Sequence, residues 1–85
     1  MRINATEKEI QLVLSIFEGL LRQRIDQHGR GKFVSPHEAL GILTEEFWEV
    51  VEAVRGNDKE EFLEEMMDCA ISAIWTYVSL SKGNT

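Results

Sequence analysis

The last helical stretch of the chain constrains its fold more than any other feature. At about 100° per residue, Phe62, Leu63, Met66, Met67, Ala70, Ile71, Ala73, Ile74, Trp75, Tyr77, Val78 and Leu80 cover about two thirds of a helix circumference. The one remaining line is Glu61, Glu65, Asp68, Ser72, Thr76 and Ser79, charged at its start and hydroxylic thereafter. Such a helix must be covered on several sides, and carboxylates on its only polar line need a metal, a partner cation or water. A chain of 85 residues offers little to cover it with. A domain of that size buries only roughly 60% of its unfolded surface when it folds alone. Cys69 is the only cysteine, so no disulfide framework compensates. The expectation is an all-α chain of three helices, one domain over residues 1–85, assembling into an oligomeric helical bundle.

The other two helices follow from local signals. Thr6 and Glu9 have capping-box spacing, and Ile10, Leu14, Phe17, Leu21 and Ile25 then advance by three or four. This predicts a first helix over about 6–27, with Leu12, Ile16 and Leu20 as a second apolar edge. Gly29 and Gly31 end it, and the loop from His28 to Phe33 carries Arg30 and Lys32. That loop is not a phosphate-binding Walker loop, because the Gly-Lys-Ser/Thr signature and a preceding strand are missing. Ser35-Pro36-His37-Glu38 places a cap, a first-turn proline and an acidic third position in succession, starting a second helix over about 36–55. Its predicted core face is Leu40, Leu43, Phe47, Val50, Val51 and Val54. Gly56 stops it, Asn57 or Asp58 caps the next, and the third helix runs over about 58–81.

Acidic residues on helices are usually solvated, so their positions decide which of them matter. Glu45 and Glu52 project beside Trp48 and Arg55, away from the apolar face, and read as surface charges. Glu46 has Ile42 and Val50 four residues either way, and Glu49 lies near Ile42 and Ala53, on the shoulder of the apolar stripe. Glu46/Glu49 and Glu65/Asp68 are each spaced three apart, hence each on one face. If the second and third helices pack antiparallel across the turn at 56–58, these four carboxylates converge. Converging carboxylates repel unless protons or cations neutralise them, and hard oxygen ligands favour Mg²⁺ or Mn²⁺ over zinc. The competing reading is a solvated or salt-bridged face.

Other residues suggest less. His28 and His37 lack a second nitrogen or sulfur ligand at metal spacing. Cys69 adjoins Asp68, whose charge raises a thiol pKa, and reads as core; Met66, Met67, Trp48 and Trp75 read as packing residues. The net charge of −6 argues against a nucleic-acid surface. An anionic substrate held through cations stays compatible with it. The first residues lack a signal peptide's apolar core, and no apolar run approaches the ~18 residues of a membrane helix. A cytoplasmic protein without membrane partners is expected.

Glu45-Glu46-Phe47-Trp48-Glu49 followed by Glu65-Met66-Met67-Asp68 resembles the paired acidic motifs of the all-α nucleoside triphosphate pyrophosphohydrolase superfamily, the MazG-like proteins. The resemblance covers the second and third helices well and the first loosely. It implies that Glu46, Glu49, Glu65 and Asp68 bind Mg²⁺, with Mn²⁺ as the alternative, and that Glu45 or Glu49 orients the attacking water. It also implies a dimer or tetramer and hydrolysis of an NTP or dNTP to the monophosphate and pyrophosphate. The chain departs from the family by stopping soon after Leu80, where many members continue into a further helix and a substrate-contacting segment. Groups binding the substrate then come from Arg30, Lys32 or Lys59, or from another subunit. Two other readings compete. A carboxylate-bridged di-iron bundle uses Glu-x-x-His, and the residues three after Glu46 and Glu65 are Glu49 and Asp68, so its imidazoles are missing. A non-catalytic helical interaction module keeps the scaffold without the chemistry.

Overall fold

A computed structural model describes residues 2–81. Among them there are three helices and no strand: α1 (Glu7–His28), α2 (Pro36–Arg55) and α3 (Lys59–Leu80), within a residue of the boundaries read from capping signals. The chain divides between Arg30 and Gly31 into two compact units. No described helix is long and apolar enough to cross a membrane.

The first unit is α1 and its flanks. Thr6 Oγ1 accepts from the Glu9 amide at 3.1 Å while Glu9 Oε1 accepts from the Thr6 amide at 2.8 Å, so two unpaired helix-end donors are satisfied reciprocally. Those bonds favour the ionised Glu9, first through the Thr6 backbone, and hold its pKa below the usual value. Gly29 closes the helix at φ 77°, its amide donating to the Ile25 carbonyl at 2.7 Å. No α1 residue is buried, and Ile10, Leu12, Leu14 and Ile16 are exposed.

The second unit is an antiparallel hairpin of α2 and α3. Ser35 caps α2 by accepting from the Glu38 amide, and Pro36 occupies the first turn, where its missing N–H costs nothing. Glu38 turns its own carboxylate to the Val34 amide at 2.8 Å. At the far end, Gly56 is right-handed and Asn57 takes the left-handed conformation at φ 54°. The Asn57 and Asp58 amides donate to the Val54 and Ala53 carbonyls, a Schellman closure in which asparagine fills the place usually given to glycine. Asp58 then caps α3, its Oδ1 accepting from the Glu61 amide at 3.0 Å. At the open end, Phe33 donates its amide to Ser79 Oγ and Trp75 donates its indole N–H to the Gly31 carbonyl, each at 3.0 Å.

The hairpin's inner seam differs from the one expected. Its buried residues are Ala39, Val50 and Ala53 from α2 with Ile71, Ser72, Trp75 and Ser79 from α3. Of the predicted α2 core, only Val50 is buried; Leu43 and Val51 are half-buried, while Leu40, Phe47 and Val54 are 62%, 60% and 57% exposed. The physical reason lies in α3. Ser72 and Ser79 of its hydroxylic line are buried in the seam with Ile71 and Trp75, opposite Ala39, Val50 and Ala53, a face of α2 rotated from the one that carries Leu40, Phe47 and Val54. Glu46 is spaced seven from both Ala39 and Ala53, and Glu65 seven from Ser72, so both carboxylates continue the packing seam itself.

Candidate metal centre

Glu46 and Glu49 of α2 and Glu65 of α3 each offer a carboxylate oxygen, and the three oxygens lie within 4.8 Å of one another. The hairpin creates this meeting: the close turn at 56–58 fixes the register, and the i, i+3 spacing puts Glu46 and Glu49 side by side opposite Glu65. Glu46 and Glu65 are half-buried, whereas Glu49 reaches in from an exposed position.

Three negative charges at that separation cannot all persist without neutralisation. Glu65 is pushed up to about 8, first by the hydrogen bond its protonated form makes with Glu49, then by burial, by a similar bond with Glu61 and by the charges of Glu49 and Asp68. Glu65 Oε2 is shielded from solvent and has no hydrogen-bond partner. Paired carboxylates contain no donor until one binds a proton, so Oε2 gains a partner only on protonation. Burial raises Glu46 above its ordinary value, followed by the charges of Asp68, Glu49 and Glu45; burial likewise raises Asp68, followed by Glu49 and Glu61. Cys69 is half-buried, and burial followed by the surrounding carboxylates pushes its thiol up, opposite to what a nucleophile requires.

Not every residue singled out in the sequence joins the group. Asp68 lies outside the three-oxygen cluster and acts on it through its charge. Glu45 is exposed and contributes charge to Glu46. Glu52 is exposed as expected, but Trp48 and Met66, read as packing residues, are 54% and 42% exposed, and the Arg55 guanidinium stands 5.7 Å from the Trp48 ring centroid. Lys59 begins α3, six residues and about 9 Å of helix before Glu65. Lys32 belongs to the loop held by Trp75 and Ser79, ten or more residues beyond Glu65 and about 15 Å along α3. Arg30 is an exposed residue of the first unit. Glu61 was absent from the expected set although it touches Glu65. Its signal was present, since it lies four residues earlier on the same polar line.

Compared with models of known families, with curated proteins and with solved structures, the chain matches none. The chemistry of the cluster therefore rests on its own geometry. Hard anionic oxygens from two rigid helices suit a divalent cation of the Mg²⁺ or Mn²⁺ type, and the solvent-shielded, unpartnered Glu65 Oε2 is an atom such a cation would satisfy.

Proposed function

We propose that this chain is a Mg²⁺-dependent nucleoside triphosphate pyrophosphohydrolase of the MazG-like kind. The observation that carries the reading is the cluster of Glu46, Glu49 and Glu65, whose three carboxylate oxygens lie within 4.8 Å of one another; the raised pKa of Glu65 supports it. Its acidic motifs support the reading by their resemblance to that superfamily.

In this mechanism Glu46, Glu49 and Glu65 would hold the cation, and Asp68 would add negative charge beside it. Bound Mg²⁺ supplies charge neutralisation for phosphoryl oxygens and acidifies water. Without a cation Glu65 keeps a proton that its neighbours' hydrogen bonds, burial and the nearby charges favour, and as a ligand it would serve in its carboxylate form. Glu45 or Glu49 orients the water and accepts its proton. The water oxygen bonds to the α-phosphorus, the bond from that phosphorus to the bridging oxygen breaks, and pyrophosphate leaves with the electron pair. Lys59 stands nearest in sequence to offer a cation to the phosphates, with Arg30 and Lys32 or another subunit as the remaining sources.

The active form is a homo-oligomer, a dimer or tetramer. Leu40 and Phe47 on α2 and Leu63, Met66 and Tyr77 on α3 are exposed, apolar surface that a second copy would cover. The same exposed faces favour a second reading, a helical interaction module without catalysis. Incubation with a panel of ribo- and deoxyribonucleoside triphosphates and Mg²⁺ separates the two. The enzyme yields pyrophosphate and monophosphate in equal amounts and loses both with Glu65→Gln; the interaction module yields neither. Sedimentation at micromolar concentration tests assembly, and a stable, well-folded monomer would contradict it.

A further inference from the structure

We infer that the cleft at the α2–α3 turn is a nucleobase subsite, an inference that rests on the pyrophosphohydrolase reading and adds to it where the base is held. The cleft has a volume of about 290 Å³ and is lined by Ala53, Val54, Asn57, Asp58, Lys59 and Phe62. Its register ties it to the carboxylates: Ala53 follows Glu49 by one turn of α2, and Phe62 precedes Glu65 by nearly one turn of α3. By helix rise, its nearest lining residues lie about 5–6 Å from the carboxylate-bearing positions and its far end at Asn57 and Asp58 about 10–12 Å. A base separated by a ribose from phosphates at Glu46, Glu49 and Glu65 would fall within that span.

The lining suits a flat heterocycle and not a phosphate. Ala53, Val54 and Phe62 give apolar walls with one aromatic ring, and Val54 remains exposed with nothing from its own hairpin covering it. Asp58 places a negative charge at the rim, which repels phosphate, and its Oδ1 is already committed to capping α3. Asn57 carries an amide with both donors and an acceptor, able to read the edge of a base. Its backbone is fixed by the Schellman closure, so the side chain is presented from a rigid turn. Lys59 lies on the same rim, where its ammonium reaches a ribose or the first phosphate.

The test uses the full chain with Mg²⁺ and compares the parent with Phe62→Leu, Asn57→Gly, Lys59→Gln and Glu65→Gln. Two substrates are used, the best nucleoside triphosphate and inorganic tripolyphosphate, which has no base. Phe62→Leu is expected to raise KM for the nucleotide about tenfold, the size of a lost base stack, and to change kcat by less than about twofold. Tripolyphosphate turnover should be unchanged by Phe62→Leu and Asn57→Gly and lost with Glu65→Gln. If nucleotide KM is unchanged in Phe62→Leu and Asn57→Gly while Glu65→Gln is inactive, the base lies elsewhere and only the subsite is overturned. If circular dichroism shows Phe62→Leu unfolded, Asn57→Gly and Lys59→Gln decide alone. Amide NMR shifts on adding nucleoside monophosphate give a readout independent of turnover. Shifts concentrated at residues 53–62 support the subsite even if no triphosphate is hydrolysed, an outcome that overturns the pyrophosphohydrolase reading alone. No shifts there, or shifts at those residues that follow protein concentration and not ligand, overturn the subsite in favour of a contact between copies.

Discussion

Neutralising Glu65 should reverse how the metal-free protein responds to pH. In the folded state Glu65 is raised to about 8, against 4.5 for an unstrained glutamate. Between those values the folded chain keeps a proton that the unfolded chain has released, so stability falls as pH rises through that window. The limiting slope for one proton is about 1.4 kcal/mol per pH unit. Glu65 is only half-buried, and screening by the water that still reaches it reduces the total to about 2 kcal/mol between pH 5 and 8. Glu46 and Asp68 are raised as well, so their contributions have the same sign. The assay is urea unfolding followed by circular dichroism in chelator at closely spaced pH values, for the parent and Glu65→Gln. The parent should lose stability steadily over the window, and the amide variant should show a much flatter profile with a higher midpoint at pH 8. A parent whose stability is flat or rises from pH 5 to 8, or an amide variant with the parental slope, would refute the reasoning.

Three further outcomes follow from the hairpin. Trp75 is 4% exposed and its indole N–H holds the Gly31 carbonyl, so Trp75→Phe should cost about 1–3 kcal/mol in denaturant midpoints, and Trp75→Ala about 3–5. Asn57 adopts φ 54°, so Asn57→Gly should change thermal stability by only a few tenths of a kcal/mol, whereas Asn57→Val should cost about 1–3 by calorimetry. Glu52→Gln should stay within about ±0.5 kcal/mol of the parent in the same measurement, while Glu45→Gln, which removes a charge that acts on Glu46, should lower hydrolysis in a pyrophosphate-release assay.

Helix boundaries were legible in the sequence because capping is local: Thr6 with Glu9, Ser35 with Glu38 and Asp58 with Glu61 each satisfy donors a turn away. The pairing of Glu46, Glu49 and Glu65 was legible because a three-residue turn leaves two helices few registers, and spacing puts each pair on one face. Hydrophobicity misled the choice of inner face. It favoured Leu40, Phe47 and Val54, whereas the buried seam sets the small Ala39, Ala53, Ser72 and Ser79 beside Val50, Ile71 and Trp75. A periodicity count weighs a leucine above a serine and does not register how closely two backbones can approach. Asp68 was grouped with Glu65 by the same three-residue spacing, yet its oxygens fall outside the cluster, because spacing fixes direction around a helix and not distance across to its partner.

The central claim, that Glu46, Glu49 and Glu65 form a cation site, is tested most directly by melting curves with and without Mg²⁺ at pH 7.5 for the parent and Glu65→Gln. A cation that binds the folded chain alone stabilises it by about 2.7 kcal/mol at a hundredfold excess over its dissociation constant. The parent should therefore melt several degrees higher with Mg²⁺, and Glu65→Gln, which folds without having to take up the proton that Glu65 needs at this pH, should melt no lower than the parent in chelator and gain much less from the ion. If the amide variant is destabilised in chelator and Mg²⁺ raises the parent no more than the variant, the three carboxylates are a structural network and the metal site does not exist.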